Sequence, residues 1–195
     1  MAKAKAVKKP QKEENIWNFP NLITFMRIIL TFLTLYLIFG RYSIISIVIT
    51  FTLGMLTDFL DGQIARRFKL TTEFGRKFDM IADRFLMIST VVGLIFYYTY
   101  LNLLDHWHII QIFMIMSREI ITFPFALILI LSGKEIPHAK FIGKLTTFLQ
   151  GFAFPCVILS IYFHTFTYIS PVIAIATLVV GIFSAATFVK DLSKE

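Results

Sequence analysis

Six long apolar runs, at 20–39, 42–60, 80–104, 109–131, 141–163 and 168–189, alternate with short polar stretches along the 195-residue chain. Each is long enough to cross the hydrocarbon layer of a bilayer, which takes about 17–25 helical residues. The pattern predicts an all-α integral membrane protein of six transmembrane helices. Because the connections are short, 16–195 reads as one six-helix membrane domain with no appended soluble module. Residues 1–15 are rich in Lys and Ala, lack apolar periodicity, and read as a disordered basic tail. The first run is longer than the roughly 7–15-residue apolar core of a secretory signal and no small-x-small cleavage site follows it, so it is expected to stay in the protein.

Composition supports the membrane reading. Hydrophobic residues make up 57% of the chain, Phe alone occurs 22 times, and charged residues are 16%, against about 25% in an ordinary soluble domain. The net charge of +7 could mean nucleic-acid binding or membrane topology, and its placement decides between them. Lys3, Lys5, Lys8, Lys9 and Lys12 precede the first run, while Arg66, Arg67, Lys69, Arg76 and Lys77 lie between the second and third. Lys134 and Lys140 lie between the fourth and fifth, Lys190 and Lys194 follow the sixth, and the opposite loops hold only Arg41. By the positive-inside rule both termini face the cytoplasm. Nothing beyond charge points to nucleic acid. On the opposite side Tyr97, Tyr98, Tyr100, Trp107, Tyr162 and Tyr168 form an aromatic belt, and His106, His108 and His164 beside them read as interfacial residues rather than ligands. The single cysteine, Cys156, excludes an intrachain disulfide.

Chemistry concentrates where the second run ends and the third begins. In a helix Asp58, Asp61, Gly62, Ala65 and Arg66 fall at i, i+3, i+4, i+7 and i+8, on one stripe. Gly75, Asp79 and Asp83 fall at i, i+4 and i+8, on a second stripe. The two stripes are joined by a short linker, in which Thr71 or Thr72 is the candidate cap of the third helix. Four carboxylates converging in one polar cleft repel unless a cation lies between them. An all-oxygen set without His or Cys suits a hard ion such as Mg²⁺, Mn²⁺ or Ca²⁺. The small residues Gly62, Ala65 and Gly75 let a ligand or a neighbouring backbone come close. A metal-free ion-pair network of Asp79, Asp83, Arg66, Arg67 and Arg84 is the alternative, but it explains neither the aligned stripes nor the small residues on them. The charge pattern places this metal-containing cleft on the cytoplasmic side.

Further polar residues interrupt the apolar runs. Arg27 shares a face with Asn21 and Thr24, and it either snorkels to the surface or reaches into the cleft to bind a phosphate. Ser117-Arg118-Glu119 lies about twelve residues, or roughly 18 Å, from the outer end of the fourth run, and must face the bundle interior or a water-filled cavity. Lys140, Lys144 and Thr147 fall at i, i+4 and i+7, while Gly143, Lys144, Thr147 and Gln150 form a polar stripe entering the membrane.

With these residues in hand, the chain resembles the CDP-alcohol phosphatidyltransferases, whose signature is D-x-x-D-G-x-x-A-R, eight residues, G-x-x-x-D-x-x-x-D. Asp58, Asp61, Gly62, Ala65, Arg66, Gly75, Asp79 and Asp83 occupy all eight fixed positions. Within the family, Asn18-Phe19-Pro20-Asn21-Leu22-Ile23-Thr24 with Arg27, Thr57-Asp58, Arg118-Glu119, and Gly143-Lys144 with Thr147 and Gln150 look like phosphatidylglycerophosphate synthases, although those usually carry proline where this chain has Met80. The resemblance implies transfer of a phosphatidyl group from CDP-diacylglycerol to an alcohol, with release of CMP. It implies Asp58, Asp61, Asp79 and Asp83 as ligands of Mg²⁺ or Mn²⁺ and Asp83 as the catalytic general base. It also implies Gly62, Ala65, Arg66 and Gly75 around the nucleotide, and a homodimer. With glycerol 3-phosphate as the expected acceptor, Arg27, Arg118, Lys140 and Lys144 are the cations available for its phosphate. Inositol, inositol phosphate or phosphatidylglycerol are the alternative acceptors, the last giving a cardiolipin synthase. A divalent-cation transporter is the alternative from another class, disfavoured because the carboxylates sit at one face rather than at several depths.

Overall fold

The computed structural model describes residues 19–67, 73–132 and 141–192. Six helices follow one another: α1 (Phe19–Phe39), α2 (Ile44–Arg67), α3 (Glu73–Tyr100), α4 (His106–Leu131), α5 (Phe141–Ser160) and α6 (His164–Leu192). No strand occurs among the described residues. The helices match the six apolar runs one for one but extend beyond several of them. The clearest case is α3, which starts at Glu73 rather than 80 and so carries Gly75, Lys77 and Asp79 on helical backbone. Hydropathy finds the lipid-embedded part of a helix, while the backbone ladder continues through its polar end. Among the described residues five helices are long and apolar enough to cross a membrane; in α2 the apolar stretch Ile44–Thr57 is shorter and runs on into the acidic motif.

Successive helices run in alternate directions, as the contacts of Arg27 with Asp79 and of Gly143 with Arg118 and Ser184 require. The starts of α1, α3 and α5 and the ends of α2, α4 and α6 therefore share one end of the bundle, the motif end. The other is the turn end. The most extensive packing is between α5 and α6, α1 and α2, α1 and α3, and α4 and α6. Two turn-end connections close with the same backbone device. Tyr42 donates to the Leu37 carbonyl and Arg41 to Ile38, and Leu103 donates to Tyr98 and Asn102 to Thr99. This is the paired 6→1 and 5→2 pattern that ends a helix on one left-handed residue. Arg41 (φ 59°) and Asn102 (φ 55°) take that position; the Arg41 Nε donates to the Tyr97 hydroxyl at 2.7 Å.

The packing is inverted relative to a water-soluble domain. Only 28–39% of the residues in the five apolar windows are buried, and Phe, Ile and Leu side chains dominate the outer faces. The interior holds Thr24, Arg27, Thr31, Glu119, Thr146, Gln150, Thr177 and Ser184. In lipid, apolar side chains gain little by turning inward, whereas polar groups must find protein partners. A conventional apolar core remains toward the turn end, where Ile38, Ile47, Phe51, Leu94, Phe154, Val157 and Ile158 pack together.

Candidate functional site

Three helices meet at the motif end through Arg27. Its fully buried guanidinium donates from Nη1 to Asp79 Oδ1 at 2.6 Å and from Nε to Thr57 Oγ1 at 3.4 Å. Thr57 in turn donates to the Gly54 carbonyl at 2.6 Å. A guanidinium held away from water needs a charged partner. Arg27 finds one on α3, fifty-two positions along the chain, which tandem spacing could not have revealed. It does not snorkel. Among the described residues the cation on Asp79 is Arg27, a partner that the expected metal-free network of Asp79, Asp83, Arg66, Arg67 and Arg84 did not include. The side chains of Arg66 and Arg67 lie outside the described residues, as do those of Asp58, Asp61, Gly62 and Ala65. Thr71, Thr72 and Lys140 lie outside them altogether.

One turn along α3 from Asp79, Asp83 places a buried Oδ1 with no hydrogen-bond partner among the described residues. Arg27, Asp79, Arg84 and Arg118 are all within electrostatic reach of it. Gly75, two turns before Asp83, is half-buried on the same helix. Arg84 donates from Nη1 to the Met80 carbonyl at 3.3 Å, and its cation sits 5.9 Å above the Phe123 ring of α4.

A second polar cluster joins α4, α5 and α6. Arg118 Nη1 donates to Glu119 Oε1 at 3.3 Å and to Thr147 Oγ1 at 3.1 Å. The buried Glu119 also accepts from Gln150 Nε2, which donates as well to the Ile115 carbonyl at 2.9 Å. Two glycines permit the close approach of the neighbouring helices. A Cβ on Gly143 would stand 3.4 Å from Arg118 Nη2 and 3.6 Å from Ser184 Oγ, and one on Gly181 would stand 3.0 Å from Ser117 Oγ. The polar stripe expected on α5 is divided: Gly143 and Gln150 are buried, Thr147 is half-buried, and Lys144 is exposed. Lys144 lies 100° around the helix from Gly143, and at this level of α5 the buried face runs through Gly143, Thr146 and Gln150. Thr146, Gly181 and Ser184 belong to this cluster but carried no sequence signal, because a small or hydroxyl residue in an apolar run looks like ordinary packing.

At the turn end His106 and His164 are exposed as expected, with the Tyr168 hydroxyl 3.2 Å from His164 Nε2. His108 differs, being buried on the inner face of α4's first turn.

Among the described side chains no three acidic, His or Cys groups converge; Asp79 and Asp83 are the two motif carboxylates whose side chains belong to that set. Asp79 is 36% exposed and Asp83 has an unsatisfied buried oxygen, so both can offer oxygen to a hard cation. The described part of the motif end thus gathers carboxylate and guanidinium groups inside a helical bundle.

The CDP-alcohol phosphatidyltransferase family matches residues 17–183. The cardiolipin synthase (CMP-forming) of Streptomyces coelicolor is 31% identical over 152 residues, covering 75% of this chain and 67% of the relative. The CDP-diacylglycerol–glycerol-3-phosphate 3-phosphatidyltransferase of Rickettsia typhi is 33% identical over 144 residues, covering 73% and 76%. The protein of the same name from Aquifex aeolicus is 29% identical over 146 residues, covering 74% and 78%. The chain belongs to the CDP-alcohol phosphatidyltransferase family, integral membrane enzymes that act on a CDP-linked lipid and an alcohol.

Proposed function

We propose that the protein transfers the phosphatidyl group of CDP-diacylglycerol to glycerol 3-phosphate, giving phosphatidylglycerophosphate and CMP in phospholipid biosynthesis. The observation that carries this reading is the meeting of Asp79 and Asp83 with Arg27, Arg84 and Arg118 at one end of the bundle. Substrates bearing a pyrophosphate and a phosphate monoester require that density of cations beside a base. The relatives named for glycerol 3-phosphate support the acceptor.

In this reading Asp58, Asp61, Asp79 and Asp83 hold Mg²⁺ or Mn²⁺, and the Asp83 oxygen that has no hydrogen-bond partner among the described residues supports such a ligand set. The bound ion would stabilise charge on the pyrophosphate and on departing CMP. Gly62, Ala65 and Gly75 line the nucleotide and Arg66 contacts its phosphates. Asp83 accepts the proton of the acceptor hydroxyl as that oxygen bonds to the phosphatidyl phosphorus; the phosphorus–oxygen bond to CMP breaks and its electron pair leaves with CMP. Arg118 holds the acceptor phosphate, with Lys140 and Lys144 at the rim. The burial of Arg27 against Asp79 favours a role in fixing that carboxylate over one in binding the acceptor.

The whole of 16–195 acts as one six-span domain, both termini and the cleft face the cytoplasm, and the enzyme is a homodimer in the cell membrane. The distribution of Lys and Arg supports the orientation. A cardiolipin synthase, with phosphatidylglycerol as acceptor, is the second reading, favoured by the Streptomyces relative.

The test is CMP release by purified protein from CDP-diacylglycerol with Mg²⁺ or Mn²⁺. Glycerol 3-phosphate, inositol, inositol phosphate, serine and phosphatidylglycerol are offered in parallel, with Asp83→Asn as control. Metal-dependent release with glycerol 3-phosphate, lost in the control, is expected; release with phosphatidylglycerol alone would move the assignment to cardiolipin synthase.

A further inference from the structure

The guanidinium groups of the motif end, fully buried at Arg27 and partly buried at Arg84 and Arg118, are satisfied unequally. Arg27 is held by Asp79 and Thr57, and it lies on the metal-ligand side of the cleft. Arg84 and Arg118, on the facing helices α3 and α4, each bond through Nη1 and each keep a buried Nε with no acceptor among the described residues. The two are close enough to repel one another, with Asp83 and Glu119 nearby. A buried N–H without an acceptor is costly even on a partly buried cation, and two of them across one helix contact call for an anion that accepts from both. The residue next to Arg84 supplies the complementary group: Asp83 Oδ1 is a buried acceptor without a donor among the described residues. Unsatisfied donors beside an unsatisfied acceptor describe a ligand carrying both a phosphate and a hydroxyl.

We propose that Arg84 and Arg118 form a two-guanidinium site for the acceptor's phosphate, and that Arg84, through its place beside Asp83, makes the enzyme specific for a phosphate-monoester alcohol. The proposal rests on the reading that the acceptor is glycerol 3-phosphate, and it moves the second phosphate-binding cation from Arg27 to Arg84. Pinning the phosphate between α3 and α4 leaves the hydroxyl of a three-carbon acceptor free to reach Asp83. A phosphodiester carries one charge fewer and a bulky second substituent, so it fits such a pair less well.

The experiment compares wild type, Arg84→Gln, Arg84→Lys and Arg27→Gln in steady-state kinetics, varying glycerol 3-phosphate and CDP-diacylglycerol separately. Arg84→Gln is expected to raise KM for glycerol 3-phosphate about 10- to 100-fold, the worth of a charge-assisted hydrogen bond, with KM for CDP-diacylglycerol within about 2-fold of wild type. Arg84→Lys should recover part of that loss, because charge returns without the fork. Inorganic phosphate should inhibit wild type competitively against glycerol 3-phosphate, and this measurement needs no variant to fold. Unchanged acceptor KM in Arg84→Gln, equal losses for both substrates, a larger acceptor effect in Arg27→Gln, or phosphate inhibition that is not competitive with glycerol 3-phosphate would each overturn the proposal. Wild type that uses only phosphatidylglycerol or an unphosphorylated alcohol would instead defeat the functional reading beneath it.

Discussion

The two ends of the bundle bury different things. At the turn end Ile38, Ile47, Phe51, Leu94, Phe154 and Ile158 interlock. Several polar groups on this side are hydroxyls bonded to their own helix, as Thr34 is to Leu30, Ser160 to Val157 and Thr177 to Ile173. At the motif end charged groups bond between helices, Arg27 to Asp79 and Arg118 to Thr147. Among the described residues unsatisfied atoms occur at both ends, but His108 Nδ1, Gln111 Oε1 and Ser170 Oγ near the turns belong to groups not obliged to carry charge, whereas those of Asp83, Arg84 and Arg118 belong to a carboxylate and two guanidinium groups. Among the described residues, unsatisfied carboxylate and guanidinium groups therefore concentrate at the motif end. Local strain or unsatisfied polarity of this kind is tolerated where function requires it.

Exchanging one residue at each end should give opposite phenotypes, and this is the largest expected effect. Asp83→Asn should lower turnover about 10²- to 10⁴-fold, the range for a general base, while leaving the thermal midpoint in detergent unchanged or higher. Phe154→Ala should do the reverse, costing about 3 kcal/mol through lost packing and a cavity with activity per folded molecule retained. Unfolding curves and CMP release on the same preparations check both. A stability loss in Asp83→Asn as large as that in Phe154→Ala would erase the distinction between the ends.

Arg27 tests whether the motif end is held together by its charges. Arg27→Met removes one partner of a buried pair and should destabilise by about 3 kcal/mol, at the low end for such a loss because Asp79 is 36% exposed. If Asp79 also binds the metal, millimolar Mg²⁺ should restore more stability to Arg27→Met than it adds to wild type, since a second cation then replaces the missing one. Melting curves with Mg²⁺ and with EDTA give the answer.

How far the sequence reached follows the same division. Six apolar runs predicted six helices because hydropathy is a local property, and the eight motif positions identified the family because their spacing is local too. Partners are not local. The Arg27–Asp79 bond, the Phe123 ring beneath Arg84, and the approach of Ser184 to Arg118 past Gly143 depend on which helices are neighbours. Lys144 shows the converse error. Its position in the sequence reads as one polar stripe with Gly143, Thr147 and Gln150, yet the buried face of α5 runs through Gly143, Thr146 and Gln150 and leaves Lys144 exposed.

Glycines at helix contacts offer the finest probe, because the same added methyl meets different neighbours at each end. At the motif end a Cβ on Gly181 would lie 3.0 Å from Ser117 Oγ and 3.5 Å from Arg118 Cβ. Gly181→Val should push α6 from α4 at Arg118, costing about 1–2 kcal/mol by overpacking and raising KM for glycerol 3-phosphate several-fold.

At the turn end a Cβ on Gly93 would lie 2.9 Å from Leu35 Cδ2, the far tip of a half-buried side chain that can turn toward lipid, and no closer than 3.7 Å to Ile38. Gly93→Ala also removes a glycine from a helix interior, worth about 1 kcal/mol in propensity, so gain and displacement should nearly cancel. The midpoint should move by the equivalent of less than about 1 kcal/mol, and both KM values should stay at wild type. An acceptor KM that rose in Gly93→Ala as in Gly181→Val would mean that the apolar packing of α1 and α3 sets the geometry of the cleft. The two ends would then be one mechanical unit, with the charged residues reporting on its shape rather than defining it.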